Sequence, residues 1–249
     1  MNLLLLEPHE LSDDDVSLTD RRADHILRVI QPDVGDTLRV GVIGGALGQA
    51  TVQALEPTVR LAVQLDTDPP PPPRVQLVLA VPRPKVLRRV LQTIGALGVH
   101  RLDLVNAWRV EKSYFQSPLL APDAIRHELI IGAEQGATTW LPAVAVHRRL
   151  MAYLDAPPSA GLRVVAHPGA TQPLESVVPP GDAPCLVAVG PEGGWIQWEV
   201  DTFIERGFEP VHLGRAVLRT EQAVPVLLGQ LELLLRLGQS EQPEQPEQG

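Results

Sequence analysis

Apolar residues along this chain follow two different periods, one on each side of a run of prolines at 69–73. Before the prolines, residues 37–42, 49–55 and 60–65 alternate or run apolar between turn signals such as Val34-Gly35-Asp36 and Gly44-Gly45. Short segments of that kind predict β-strands. Only 20–30 has a helical pattern, so residues 1–68 predict a small β-barrel-like unit. Five consecutive prolines exclude helix and central strand, which makes 69–73 a short stiff connector.

Beyond the connector, strand-like and helix-like stretches alternate. Residues 75–81 predict a strand. From Arg83-Pro84 onward, Val86, Leu87, Val90, Leu91, Ile94 and Leu97 recur at helical spacing, with Pro84 suited to the first turn and Gly98 to the stop. Strands follow at 100–104, 162–166, 185–189 and 210–213, and helices at 123–135, 198–206 and 221–237. Leu227, Leu228, Leu231, Leu234 and Leu235 line one side of the last helix. This alternation predicts an α/β fold with a mostly parallel sheet covered by helices over 74–238. Residues 239–249 repeat Glu-Gln-Pro and predict a disordered tail.

Composition narrows the class. The 249 residues suffice for one large or two modest units, and a mean hydropathy of +0.03 is ordinary for a soluble protein. Leu3 to Leu6 form too short an apolar run for a signal peptide or a membrane span, so a cytoplasmic protein is expected. The single cysteine, Cys185, lies inside an apolar strand and reads as a buried core thiol. Net charge is −9, yet residues 74–112 carry 8 basic side chains against 2 acidic ones. Local potential decides where phosphate docks, so this segment keeps a nucleic-acid partner open beside the alternative of a solvated helix face. Arg83, Lys85, Arg88 and Arg89, with Arg28 from the first unit and Arg109, are the candidate RNA contacts. Arg83-Pro84-Lys85 opens a helix, where cations and free amide groups favour phosphate.

Several chemistries are unsupported. No Gly-x-Gly-x-x-Gly follows the first strand of the second unit, and there is neither a P-loop nor a Gly-x-Ser-x-Gly elbow. One cysteine excludes a CxxC zinc site, and the seven histidines lack the spacing of metal motifs. No metal is therefore expected. Three loops that follow apolar strands remain: Ala166-His167-Pro168-Gly169, Gly190-Pro191-Glu192-Gly193-Gly194, and 213–221. Loops at the carboxyl ends of strands are where α/β sheets hold ligands, and glycines let the backbone approach one closely. Such a site suits an adenine or adenosyl group held by main-chain hydrogen bonds. Glu192 and Arg219 are its charged groups, and pairing between them across the loops is the structural alternative.

These residues carry a resemblance. Gly190-Pro191-Glu192-Gly193-Gly194 with Glu199, then Leu213-Gly214 and Val217-Leu218-Arg219-Thr220-Glu221 with Ala223, resemble the signature of the bacterial 16S rRNA uridine-N3 methyltransferases of the SPOUT superfamily. The likeness extends to His25, Gly35-Asp36, Lys85, Leu97-Gly98-Val99, Glu134-Gln135 and His167-Pro168. It implies a PUA-like barrel at 1–68, a methyltransferase unit with a C-terminal trefoil knot, S-adenosylmethionine as cofactor, and a homodimer. It further implies methylation of N3 of uridine 1498 in the 16S rRNA of the 30S subunit. His167, Pro168, Gly190, Pro191, Glu192, Gly193, Gly194, Leu213, Gly214, Leu218, Arg219 and Thr220 would hold the cofactor, with Arg219 and Glu192 serving catalysis.

The chain departs from that pattern outside the cofactor loops. Gln31 stands where the family usually has arginine. Residues 92–98 lack a usual lysine and glutamate, and Asn106-Ala107-Trp108-Arg109 replaces Glu-Arg-Ser. Three alternatives stand beside the family activity: a divergent relative that keeps the cofactor but methylates another RNA site, a non-catalytic RNA-binding or ribosome-assembly protein that cofactor binding would separate from it, and a small-molecule methyltransferase.

Overall fold

The computed structural model describes residues 2–12, 14–178 and 184–240, without the side chains of 239 and 240. The tail expected to be disordered lies, from 241 on, outside the described residues. The first part comprises β1 (Leu4–Leu6), β2 (Asp15–Leu18), α1 (Arg21–His25) continuing into a π-helical turn (Ile26–Ile30), β3 (Thr37–Val42), β4 (Leu47–Ala54) and β5 (Val59–Thr67). They form a five-stranded sheet in the order β1-β3-β4-β5-β2, parallel only between β1 and β3. The pattern reading placed β3, β4 and β5 within a residue or two of their observed bounds. It missed β1 and β2.

The reason for missing β1 is physical. Leu4 and Leu6 enter the core of the first sheet with Val40, Ala50 and Leu61, while Leu3 and Leu5 pack with Ala133 on the other side. A strand buried on both faces loses the alternation that marks a strand in sequence.

Residues 68–74 carry no regular structure. The second part then runs β6 (Val75–Ala80), α2 (Pro84–Leu97), β7 (Arg101–Val105), α3 (Pro122–Gly136), β8 (Ala143–His147), α4 (Leu150–Leu154), β9 (Leu162–Ala166), β10 (Gln172–Pro173), β11 (Cys185–Val189), α5 (Gln197–Glu205), β12 (Glu209–His212) and α6 (Thr220–Ser240). Its seven strands are all parallel, in the order β10-β12-β9-β11-β6-β7-β8. β6 and β11 are buried at every position, as central strands of a parallel sheet must be. Cys185 is the expected core thiol, and burial pushes it above the ordinary range. Leu97, expected on the buried stripe of α2, is instead 53% exposed. Among the described residues, no helix is long and apolar enough to cross a membrane.

α2 and α3 touch backbone to backbone. A Cβ on Gly95 would lie 2.2 Å from the Leu129 carbonyl oxygen, and one on Gly132 would lie 2.0 Å from that of Gln92. This close packing sets where the end of α3 stands. There the Glu134 carbonyl accepts the N–H groups of Asn2 and Leu3, both at 3.1 Å. The Glu134 carboxylate takes both terminal nitrogens of Arg21, at 2.8 and 3.0 Å, and Arg126 grips Glu7. The two sheets are thus joined through α3.

A methyl group at Gly132 has only rigid backbone to displace. Gly132→Ala is expected to destabilise the protein by about 3 kcal/mol, the range of overpacked cores. Gly229→Ala in α6, where a Cβ meets nothing within 4 Å, serves as the control and is expected to be neutral or mildly stabilising. Urea unfolding of the two variants measures both outcomes.

Candidate active site

Because the strands of the second sheet are parallel, their carboxyl ends all reach one edge. The loops after β12, β9 and β11, three neighbouring strands, meet there around a cleft of about 320 Å³. Its volume is that of a small-molecule site. Ala166, His167, Pro168 and Gly169 line it from β9, and the segment from Val189 to Trp195 lines it from β11. His212, Leu213, Gly214 and the stretch 216–218 close it from β12, with Thr220 and Ala223 of α6. The lining is mainly backbone and apolar side chain.

The loop after β11 is shaped by its glycines. The Gly194 N–H closes a turn on the Pro191 carbonyl at 2.8 Å, and Gly194 has φ +70°. A Cβ on Gly190 would press within 3.1 Å of the Trp195 nitrogen, so a side chain there would crowd the turn where it folds back on itself. The loop after β9 is held by the His167 ring, whose Nδ1 accepts the Gly169 N–H at 3.2 Å, and by the His167 N–H donating to the Val211 carbonyl at 2.9 Å. His167 therefore both lines the cleft and holds its own turn. Thr220, 3% exposed, donates its hydroxyl to the Gly190 carbonyl at 3.2 Å, and Gln230 donates to the Leu213 carbonyl at 3.3 Å. α6 is in this way fastened to two of the three loops, by its first residue and by its middle.

Of the residues expected to hold a cofactor, eleven line this cleft and Arg219 does not. Arg219 is exposed at the N-terminal end of α6, where its carbonyl accepts the Ala223 N–H at 2.7 Å and its N–H donates to the Gln222 side chain at 3.2 Å. Its guanidinium makes no ion pair among the described residues. Pairing with Glu192 does not occur. The Glu192 carboxylate instead accepts the backbone N–H of Arg83 at 3.0 Å and its Nε–H at 3.2 Å, tying the loop after β11 to the start of α2.

The expected RNA contacts divide in the same way. Arg83 is committed to Glu192, Arg88 pairs with Glu128 at 3.0 Å, and Arg28 lies 3.7 Å from Asp24. Arg109 reaches into the cleft and donates to the Gly193 carbonyl, and a Cβ on Gly193 would collide with its side chain. Lys85 and Arg89 are exposed and make no ion pair among the described residues. Arg89 borders a second cleft with Arg21, His25 and Glu134, between α1 and the pair α2–α3. No group of three or more His, Cys, Asp or Glu residues suited to a metal ion occurs among the described residues.

One contributor stood in the sequence only as part of the family signature, with no role assigned to it. Glu199, 2% exposed, accepts the Trp108 N–H at 2.8 Å with one oxygen and the Ile196 N–H at 3.0 Å with the other. It caps α5 and fixes the loop after β7 beside the loop after β11. Its position three residues after Ile196 is a capping signal, but the partner 91 residues away leaves no trace in local sequence.

A model of the RNA methyltransferase domain family matches residues 69–232. Ribosomal RNA small subunit methyltransferase E of Treponema pallidum is 30% identical over 233 residues, covering 90% of this chain and 87% of its own length. Ribosomal RNA small subunit methyltransferase E 1 of Borreliella burgdorferi is 23% identical over 227 residues, 90% of this chain and 94% of that one. A crystal structure of ribosomal RNA small subunit methyltransferase E from Neisseria gonorrhoeae bound to S-adenosyl methionine has the same fold, with a TM-score of 0.77 at 24% identity over 94% of this chain and 98% of that one.

Removing the buried Glu199 carboxylate orphans two backbone N–H groups at once. Glu199→Ala is expected to cost about 3 kcal/mol, and Glu199→Gln, which restores at most one acceptor, about half of that. Chemical denaturation tests the ranking; equal stability of all three proteins would contradict the role given to this side chain.

Proposed function

The chain belongs to the RNA methyltransferase family, with ribosomal RNA small subunit methyltransferase E among its relatives, and from that premise we propose that it methylates N3 of uridine 1498 in 16S rRNA. S-adenosylmethionine is the proposed donor, and the cleft at the carboxyl ends of β9, β11 and β12 its seat. The observation that carries this reading is the convergence of three glycine-bearing loops on one backbone-lined, apolar cleft. Such a lining fits an adenosyl group: close-approaching main chain offers hydrogen bonds, Leu213 and Leu218 offer apolar faces, and Gly190 adds no side chain to the crowded turn. The donor supplies a methyl activated by a sulfonium, so the transfer needs no metal.

The residues of the chain must then manage the acceptor. Uridine N3 carries a proton at neutral pH and lies on the pairing edge, so the base has to be unpaired before it reacts. Arg219, which makes no ion pair among the described residues and stands in sequence between the cleft-lining Leu218 and Thr220, is suited to stabilise the uracil carbonyls as N3 gives its proton to water and takes on negative charge. Glu192, already gripped by Arg83, acts as a positioning residue that holds its loop against α2. Lys85 and Arg89, uncommitted to a carboxylate among the described residues, are the proposed phosphate contacts, with the cleft beside His25 continuing the track toward the first sheet.

The remaining features belong to the same reading. We take residues 1–68 as a PUA-like RNA-binding unit and 74–238 as a SPOUT unit whose chain is knotted near α6. The insertion of β11 between β9 and β6, together with the bonds from Thr220 and Gln230 to the loops, supports that path. Leu233 and Leu237, 45% and 53% exposed on α6, support a homodimer through this helix.

Arg219→Ala is expected to leave the S-adenosylmethionine Kd within about twofold by calorimetry while lowering kcat about 100-fold, the scale of a lost electrostatic group in the transition state. Equal turnover would contradict the assignment. The Lys85→Ala/Arg89→Ala double variant is expected to weaken RNA binding and flatten the dependence of log K on log salt by about one to two, with cofactor affinity unchanged.

A further inference from the structure

Two of the four tryptophans are withdrawn from solvent or bonded: Trp195 is 3% exposed in the core, and Trp140 donates its Nε1–H to the Val99 carbonyl at 3.0 Å. Trp198, on α5, is 57% exposed, and Trp108 is the most exposed of the four at 78%. It does not sit on a loose segment. Ala107 before it and Val110 after Arg109 are both 7% exposed in the core, the Val110 N–H closes a turn on the Ala107 carbonyl at 3.0 Å, and buried Glu199 holds the Trp108 N–H at 2.8 Å. A rigid, two-residue tip therefore projects Trp108 outward and sends Arg109 into the cleft.

The surroundings decide what such an indole meets. A protein interface would surround it with further apolar surface. Here its near neighbours in sequence are Arg109 and the exposed Glu111 and Lys112, within the segment where basic residues outnumber acidic ones 8 to 2. An exposed aromatic face in a basic segment beside a cleft is an arrangement that holds unpaired nucleic acid, the ring stacking on a base while the cations meet phosphate. We propose that Trp108 is a stacking platform for an unpaired nucleobase of the RNA substrate at the mouth of the methyl-transfer cleft. The inference rests on the RNA methyltransferase reading above and assigns to it a specificity-determining residue.

The test is equilibrium binding of a fluorescent single-stranded, uridine-containing RNA of about 12 nucleotides at low salt, with cofactor calorimetry and sedimentation run in parallel. Trp108→Ala is expected to weaken RNA binding between about 5- and 100-fold, Trp108→Phe to stay within about 3-fold of wild type, and both to keep the wild-type cofactor affinity and sedimentation coefficient. Unchanged RNA affinity in Trp108→Ala overturns the platform, as does an equal loss in Trp108→Phe. A change from dimer to monomer on Trp108→Ala would assign the indole to a protein interface instead and likewise overturn it. Wild-type protein that binds cofactor and RNA yet transfers no methyl contradicts the proposed reaction alone, and the platform is then decided by the affinity ratio. Wild-type protein that binds no RNA overturns both.

Discussion

Seven strands that all run the same way must deliver every following loop to one edge, and in this molecule that edge carries the main cleft. Neighbouring strands stand about 5 Å apart, so the loops after β12, β9 and β11 meet without any long excursion. The sheet does most of the positioning. The loops need only short local devices: the turn closed by Gly194, the His167 ring holding Gly169, and the Thr220 hydroxyl on the Gly190 carbonyl. The same edge receives the loops after β6 and β7, so Arg83 can hold Glu192 and Arg109 can reach Gly193. A cleft made in this way from five adjacent strands is stiff by construction, as a methyl transfer that depends on alignment requires.

The first sheet is attached by a different constraint. β1 is buried on both faces and feeds its leucines into two clusters, one within its own sheet and one against α3. α3 in turn lies in backbone contact with α2, whose first turn binds the loop after β11. Packing thus links the N-terminal sheet to the cleft through rigid helices, and the Arg21–Glu134 pair lies at the junction.

How much of this could be read from sequence depended on whether the signal was local. The strands at 162–166 and 185–189 match β9 and β11 because continuous apolar runs bounded by turn residues have few other readings. The loops were legible for the same reason, glycine and proline clusters directly after those runs. β8 escaped because its pattern is only half-buried, and α4 because five residues show too little periodicity. The ion pairs were not legible at all. Arg219 was the partner weighed for Glu192, whereas its actual partner, Arg83, lies 109 positions away. Arg109 was expected on the RNA surface from charge alone, whereas its contact with Gly193 depends on β7 and β11 sharing an edge. Tertiary pairing of this kind leaves no imprint on spacing.

One departure from the family pattern, at 106–109, falls in the loop that Glu199 fixes, where Trp108 stands out and Arg109 turns in. The identity of the methylated nucleotide is the central claim to test. The measurement is methyl transfer from labelled S-adenosylmethionine to 30S subunits lacking the modification, followed by mass spectrometry of the digested RNA. The account predicts 3-methyluridine, mapped to position 1498 of 16S rRNA. Label in any other nucleoside, at another position, or in none would contradict it.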